Sequence, residues 1–428
     1  MAPTAKTNHQ PTGEARVTMY DVEFGDCFLL AIPYTGGATR HLLIDCGTHK
    51  APRGHMLKVA QKVAEDCGGK LDAIVATHRH SDHISAFGED GPGEVFAKLK
   101  PDLVVQPWTE DPEADSKYEG PAEGEQKHLS VAAYREGLLA AQEYAAALLA
   151  RLREPTKALL GVSEGVQRRL EDLAGVNIYN KAAVAWLEGT AECEYVHAGC
   201  KAEKLLALLP GVGVRVLGPP TLKQTQGTRK QASHGPEFWK LQKAAVETMA
   251  GGKPGEDGCD LVLPGAPTLD QSEATPQDRW VIERVNRAQV YNVQWIVTSL
   301  KDTLNNTSII LLLEVGHHRL LFAGDAQVEN WSYALSQPEL TEGLGATTLY
   351  KVGHHGSGNA TPKSLWDMLT GSGRTEANPL FSLLSTEEST YPRVPCEPLV
   401  EALAQQSTLH KTQTLRAQGQ LSETVTLP

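Results

Sequence analysis

No run in this chain of 428 residues approaches the roughly 18 apolar residues that a membrane-spanning helix needs. The N-terminal MAPTAKTNHQPTG is polar and lacks the apolar centre of a signal peptide, so residues 1–14 are expected to form a disordered leader. Cysteine is sparse. Its seven positions (Cys27, Cys46, Cys67, Cys193, Cys200, Cys259 and Cys396) are odd in number, scattered and free of any C-x-x-C pair. That pattern excludes a disulfide framework and points to reduced thiols in a cytoplasmic compartment. Positive charge is also short: 40 Lys and Arg face 52 Asp and Glu, a net charge of −12. Such a balance repels polyanions at long range, so binding of nucleic acid would need a local basic patch or bound cations. No internal repeat is visible. What remains is the composition of an ordinary globular protein, 41% hydrophobic and 21% charged. The length suits two average domains or one large α/β unit with insertions.

Read in order, the chain offers strands at VTMYDVEFG, at CFLLAIPY and from His41 to Ile44. A helix is expected from about Pro52, with Met56, Ala60 and Val63 on one face and an end at Gly68-Gly69. Further strands follow at Leu71 to Ala76 and at Val104-Val105. From Val131 the apolar residues Val131, Tyr134, Leu138, Ala141, Ala145, Leu148 and Leu152 recur at helical spacing up to Pro155. This long helix reads either as part of an insertion packed on the core or as the seam of a homodimer. Helical pieces are expected at 163–175 and from Asn180 to Leu187, with strands at Cys193 to His197 and Val212 to Leu217. Helices are expected again after Pro236 and Thr275, around a Gly- and Pro-rich stretch from Gly251 to Thr275 that suits a lid. The last third returns to strands. Ser308 to Val315 and His318 to Ala323 form a hairpin about Gly316-His317, and Thr347 to Val352 follows. Pro379 to Leu384 and Thr412 to Ala417 read as edge strands around a helix from Glu397 to Gln405.

The chemistry gathers at LDAIVATHRHSDHISAFG, Leu71 to Gly88. Here a β-rich run ends in His78, His80, Asp82 and His83. Side chains at i and i+2 of an extended segment point the same way, so His78 and His80 can share one cation. Asp82 and His83 lie past the turn and can serve a neighbouring site. Imidazole with carboxylate suits zinc-like ions. Two later strands also end in potential ligands, one in Gly324-Asp325 and one in Gly353-His354-His355.

The H-x-H-x-D-H pattern resembles the signature of the metallo-β-lactamase superfamily. DVEFGDCFLLAI, LLIDCG, THRHSDH, NNTSIILLLE, LLFAGDA and LYKVGHHGSG follow one another as in the hydrolase domain of ComEC-type DNA-uptake proteins. The stretches 115–190 and 222–300 fall outside this likeness. The resemblance implies an α/β fold, the four-layer αββα sandwich, as one domain over 15–428 with insertions at about those two stretches. It implies that His78 and His80 hold one divalent ion and that Asp82 and His83 hold a second, Zn or Mn. Asp325 would bridge the two, and His355 would complete the second. His354 is left for substrate, and Asp26 and Asp45 for orienting the ligands from behind. Many members supply one more histidine to the first metal, whereas here the corresponding strand ends in Gln106-Pro107-Trp108-Thr109-Glu110. The histidines of the interval, His128, His197 and His234, lie in or near insertion sequence, so either Glu110 or Asp111 substitutes or the first site is weak; ComEC-type domains also tend to lack that histidine.

Two such ions about 3.5–4 Å apart would lower the pKa of a bridging water and make a hydroxide nucleophile. The function this implies is a metal-dependent hydrolase of a phosphodiester, a nuclease or nucleotide phosphodiesterase. Asp82 and His354 take part in the chemistry, and Lys351 either contacts a phosphate oxygen or is an ordinary strand-end lysine. The alternatives are hydrolysis of a lactam, lactone or thioester, and a binding protein on the same fold.

Overall fold

A computed structural model of the chain describes residues 10–88, 90–119, 130–152, 170–171, 180–224, 301–371, 374, 379–388, 390–391 and 394–427. One compact unit is made of residues 1–125, 180–228 and 304–428, and a second of 126–179 and 229–303.

The first unit is built on two sheets. In one, β1 (Ala15–Tyr20), β2 (Cys27–Pro33), β3 (Thr39–Cys46), β4 (Ala73–Val75), β5 (Leu103–Pro107) and β6 (Glu192–Val196) lie side by side, with β13 (Ser422–Leu427) outside β1. The other has the order β12 (Thr408–Lys411), β11 (Phe381–Leu384), β10 (Leu349–Lys351), β9 (His318–Phe322), β8 (Ile310–Val315) and β7 (Gly213–Gly218). Strands β3 to β6 run parallel, as do β9 to β12.

Alternation along each strand decides what faces what. Leu30, Leu42, Ile44 and Val75 of the first sheet share one core with Leu311, Leu313, Leu320, Phe322 and Leu349 of the second. Their neighbours Leu29, Leu43, Ile74 and Val104 point the other way and are equally buried. The crossovers between the parallel strands supply the cover there. They are α1 (His55–Asp66), which buries Met56, Val59, Ala60 and Val63, and α3 (Pro92–Leu99), which buries Phe96 and Leu99. On the far face of the second sheet, Ile310, Leu312, Leu321 and Tyr350 pack with Trp331, Leu365, Leu369 and Leu403. These four come from the helices Val328–Ser336, Lys363–Thr370 and Glu397–Gln406. The result is the four-layer αββα sandwich of an α/β protein.

Several elements differ from expectation. Thr412–Ala417 is a helix, not a strand. Its first residue trades hydrogen bonds with the backbone of Thr386, whose N–H and carbonyl lie 2.9 and 3.0 Å from the Thr412 hydroxyl. Its Leu415 then enters the core between the sheets. β11 is interior, and the edge belongs to β12. Strand β13 lacked any early signal, and it pairs with β1 along its whole length, Ala15 opposite Leu427. Within the expected leader, Pro11 bridges Tyr34, and residues 1–9 lie outside the described residues.

The helix Val131–Leu152 forms as its spacing predicts, with Val131, Leu138, Ala145 and Leu149 buried. The helix Lys181–Thr190 starts at Asn180, whose side chain accepts the Ala183 N–H. Of the piece at 163–175 only Leu170 and Glu171 are described. The helices after Pro236 and Thr275, the stretch Gly251–Thr275, Cys259, His128 and His234 lie outside the described residues. Among the described residues, no helix is long and apolar enough to cross a membrane.

Candidate metal centre

All the candidate ligands leave the carboxyl ends of parallel strands, the end at which α/β sheets commonly gather their sites. β3 ends in Asp45, β4 runs into Thr77-His78, β9 into Gly324-Asp325 and β10 into Gly353-His354-His355. Asp26 opens β2, whose Cys27 lies opposite Cys46 of the antiparallel β3 and so reaches the same rim. The two sheets are stitched together there. The Ile309 N–H donates to the Thr77 carbonyl at 2.9 Å, and the Ser385 hydroxyl to the Gly25 carbonyl at 2.5 Å. Gly324, at φ +50°, lies so close to Thr77 that a Cβ would fall 2.9 Å from that side chain.

Asp82 and His83 sit in the first turn of α2 (Ser81–Gly88) and are buried. Their side chains, with those of Asp325 and His355, bring four potential donor atoms within 4.8 Å of one another. His83 Nε2 lies 3.2 Å from Asp325 Oδ1. His355 Nε2 lies 3.2 Å from Asp82 Oδ2 and 3.5 Å from Asp325 Oδ2. His78 and His80 stand beside them. The Nε2 of His78 is 2.9 Å from the Nδ1 of His80, and its ring centroid is 4.2 Å from that of His83.

The ring tautomers follow from what lies behind. His355 Nδ1 faces the Ser385 carbonyl at 3.0 Å; a carbonyl only accepts, so Nδ1 carries the proton and Nε2 points its lone pair into the cluster. His83 Nδ1 lies 2.7 Å from Asp45 Oδ2, with the same consequence. Asp45 also takes the Thr77 N–H and hydroxyl, each at 2.7 Å. The hydroxyl in turn stands 3.3 Å from His78 Nδ1. One carboxylate therefore orients ligands of both pairs. Replacing Asp45 with Asn should weaken metal binding by roughly 10–100-fold, the usual cost of losing such a support, while the fold persists. Metal titration followed by thermal unfolding checks both halves of that expectation.

Charge reinforces the geometry. Burial pushes the Asp82 carboxyl upward, but His355 and His83 outweigh it and hold Asp82 well below the usual carboxylate range. Asp325 is likewise depressed, burial being overcome by His83, His355 and His354. Burial lowers His83 and His355, yet Asp325 and its neighbouring carboxylates win and raise both rings. Both rings give up those protons on taking a cation, so capture strengthens as pH rises. Burial, with His83 and His80, instead keeps His78 neutral.

Do these residues fit a metal? Asp82 Oδ1, His83 Nε2 and Asp325 Oδ1 are buried without a hydrogen-bond partner. Leaving three polar atoms unsatisfied in one small cluster is costly unless a ligand completes them. Carboxylate and imidazole donors suit a divalent ion. Another acidic group, Asp21, Glu23 and His55, is of a different kind, because Arg416 bonds both Asp21 and Glu23.

Residues 20–89 match the family model of the metallo-beta-lactamase superfamily. That match spans Asp26, Asp45 and the whole H-x-H-x-D-H motif. Asp325 and His355 lie beyond it and join the same site through the fold. No curated protein matches the chain.

The structure places several of the sequence's candidates in ion pairs. Glu110 and Asp111 stand outside the four-donor cluster. Glu110 is clasped by Arg79, whose Nε lies 2.8 Å from Oε1 and whose Nη2 bonds Oε2. Asp111 is engaged by Lys117 at 3.1 Å. His197 faces the Ala198 carbonyl, with Nδ1 at 3.0 Å. Lys351, read from the sequence as a phosphate contact or an ordinary strand-end lysine, is 2% exposed. Its ammonium bonds Asp26 and the Gly324 carbonyl, and lies 3.8 Å from Asp325. Thr77, Asn305, Ser308 and Ser385 were missed as supports. Only the NNTS motif around Asn305 gave a signal. There the Ser308 hydroxyl accepts the Asp325 N–H at 3.1 Å, and the Asn305 amide meets His354 Nε2 at 3.2 Å.

Proposed function

We propose that the chain is a metal-dependent hydrolase of phosphodiesters, in nucleic acid or in a nucleotide. The observation that carries this reading is the buried cluster of Asp82, His83, Asp325 and His355 with three unsatisfied donor atoms. Ions held there and at His78–His80 supply Lewis acidity and activate water for attack. The chain's own residues do the rest. Asp45, Ser385 and Thr77 hold the rings in the ligating tautomer, and Ser308 fixes the backbone of Asp325. Asp26 and Lys351 form an internal charge pair behind the ligands.

His354 has a separate task. Both His354 and His355 adopt left-handed backbone, φ 45° and 52°, which is unusual for a residue with a side chain. Such conformations persist only where surrounding contacts enforce them, and they cluster at working sites. The kink sends the two rings to different places: His355 into the four-donor cluster, His354 to the Asn305 amide, 3.9 Å from Asp325 Oδ2. With the amide donating to Nε2, the His354 ring carries a proton on Nδ1, suited to a leaving oxygen. Ser357 and the exposed Asn359 follow on the same loop.

The choice of phosphodiester rests on the likeness of DVEFGDCFLLAI, NNTS and LYKVGHHGSG to ComEC-type hydrolase domains. The net charge of −12 favours nucleotides and short strands over avid binding of long duplexes. A panel of phosphodiester, lactam, lactone and thioester substrates with added Mn²⁺ or Zn²⁺ tests the reading; turnover confined to the last three would overturn it. His354→Ala should keep its metal and lose roughly 10²–10⁴-fold in phosphodiester turnover, the range for a positioned acid or base. Metal content and rate measured on the same sample decide this, and loss of metal would place His354 among the ligands.

A further inference from the structure

His355 is held by more than its hydrogen bond. Its Nδ1 faces the Ser385 carbonyl at 3.0 Å, and the Phe24 ring packs on it with centroids 4.3 Å apart. Tyr391 closes edge-on against Phe24, at 5.1 Å. These contacts come from two loops. One, residues 21–26 between β1 and β2, carries Phe24 and also Asp26, which lies 3.6 Å from His83 and 3.7 Å from His355. The other follows β11 and carries Ser385, Glu387 and Tyr391. The Ser385 hydroxyl, bonded to the Gly25 carbonyl, joins them directly.

Both loops are also gripped from outside the cluster by Arg416, in the last turn of the helix Thr412–Ala417. Its Nε lies 3.1 Å from Asp21 Oδ2 and 3.1 Å from Glu23 Oε2. Its Nη2 bonds Asp21 Oδ1 and the Glu23 carbonyl, and its Nη1 bonds Glu387 Oε2. The Thr412 hydroxyl fixes the helix itself to the Thr386 backbone of the second loop. Three carboxylates thus converge on one cation, with side chains 4%, 23% and 21% exposed. Without the guanidinium they would repel one another at short range with little water to screen them. Asp21 and Glu23 sit on one loop and Glu387 on the other, so that repulsion would drive the loops apart. A planar guanidinium can bond several carboxylate oxygens at fixed angles, which an ammonium cannot.

We propose that Arg416 is a positioning residue of the metal centre: by clamping the 21–26 loop to the loop after β11, it keeps the Ser385 carbonyl and the Phe24 ring on His355 and so sets how well that ring ligates. Resting on the metal-centre reading above, this adds a control point in the C-terminal helix, one loop removed from the ligands.

The test uses the full chain and Co²⁺, whose visible absorption reports the arrangement of its ligands. Arg416→Met should weaken Co²⁺ binding by about tenfold or more, the cost of losing a support behind a ligating histidine, and should alter the spectrum of the bound ion. Arg416→Lys, which keeps the charge without the planar fork, should fall between Arg416→Met and wild type. Adding Glu387→Gln to Arg416→Met removes the facing charge as well and should recover part of the lost affinity. Leu403→Ala is the control, because it opens a cavity in the core on the far face of the second sheet. It should lower thermal stability and leave Co²⁺ affinity and spectrum unchanged. Wild-type affinity and spectrum in Arg416→Met, or the same changes in Leu403→Ala, would overturn the proposal. Should Arg416→Met fail to fold, Arg416→Lys carries the test, and wild-type values in it would overturn the proposal equally. No Co²⁺ bound by the wild-type chain would instead remove the metal-centre reading, and the clamp's role with it, so the two failures are told apart without any activity measurement.

Discussion

Asp325→Ala is expected to abolish retained metal and hydrolysis in the same step. Its two oxygens approach both histidines of the four-donor cluster, His83 at 3.2 Å and His355 at 3.5 Å. Among the described residues, Asp26 also comes near both rings, but on their Nδ1 side, at 3.6 and 3.7 Å, and not at the Nε2 atoms that point into the cluster. The loss should therefore exceed the roughly 10–100-fold that removing a supporting residue costs. Asp325 also holds His83 and His355 in their raised, proton-bearing state. The variant should consequently lose much of the pH dependence of whatever weak binding survives. Elemental analysis after desalting, with rate assays at matched metal concentrations, reads both effects. Retention of one full ion by Asp325→Ala would show that the cluster does not hold the metal.

The second large effect requires no change to any ligand. A Cβ added at Gly47 would lie 2.4 Å from the Ser81 carbonyl oxygen and 2.5 Å from the His83 nitrogen. Both are backbone atoms at the start of α2, so no side-chain rotation relieves the clash. Gly47→Ala should force the turn carrying Asp82 and His83 away from Asp325. The expected cost is at least about 1–3 kcal/mol, the range for overpacking a tight interior, together with weakened metal binding. Gly189→Ala is the control. That glycine lies inside a helix with no heavy atom within 4 Å of the added carbon, and its replacement should be neutral or stabilise by about 0.4–1 kcal/mol. Denaturant unfolding of both variants separates crowding from a general intolerance of substitution.

What the sequence disclosed is what local pattern encodes. An apolar β-rich run followed by closely spaced histidines places the motif on a strand end without further help. Recurrence of Asp325 and His355 after two other strands suggests a shared rim. Pairings across the chain are a different matter. Glu110 looked like a spare ligand because nothing nearby claims it; its partner Arg79 is 31 residues away. Lys351 had the look of a surface lysine at a strand end, and only the approach of Asp26 from the other sheet explains its burial. Thr412–Ala417 misled through its threonines, which favour strands by composition. Its course is set instead by a hydroxyl bonded to the Thr386 backbone and by one leucine in the core.

The pairing of β1 with β13 has a consequence in time. The hydroxyls of Thr18 and Thr424 meet across 406 residues. At about 5–20 residues per second, a ribosome separates their appearance by roughly 20–80 s. Throughout that interval the first strand waits with an open edge, although the strands that carry His78 to His83 have already emerged. Asp325 and His355 also come late, so the nascent chain can offer a cation no more than the histidine motif for most of its synthesis. The four donors of the candidate metal centre thus come together only at the closing stage of translation, after the second sheet has been delivered.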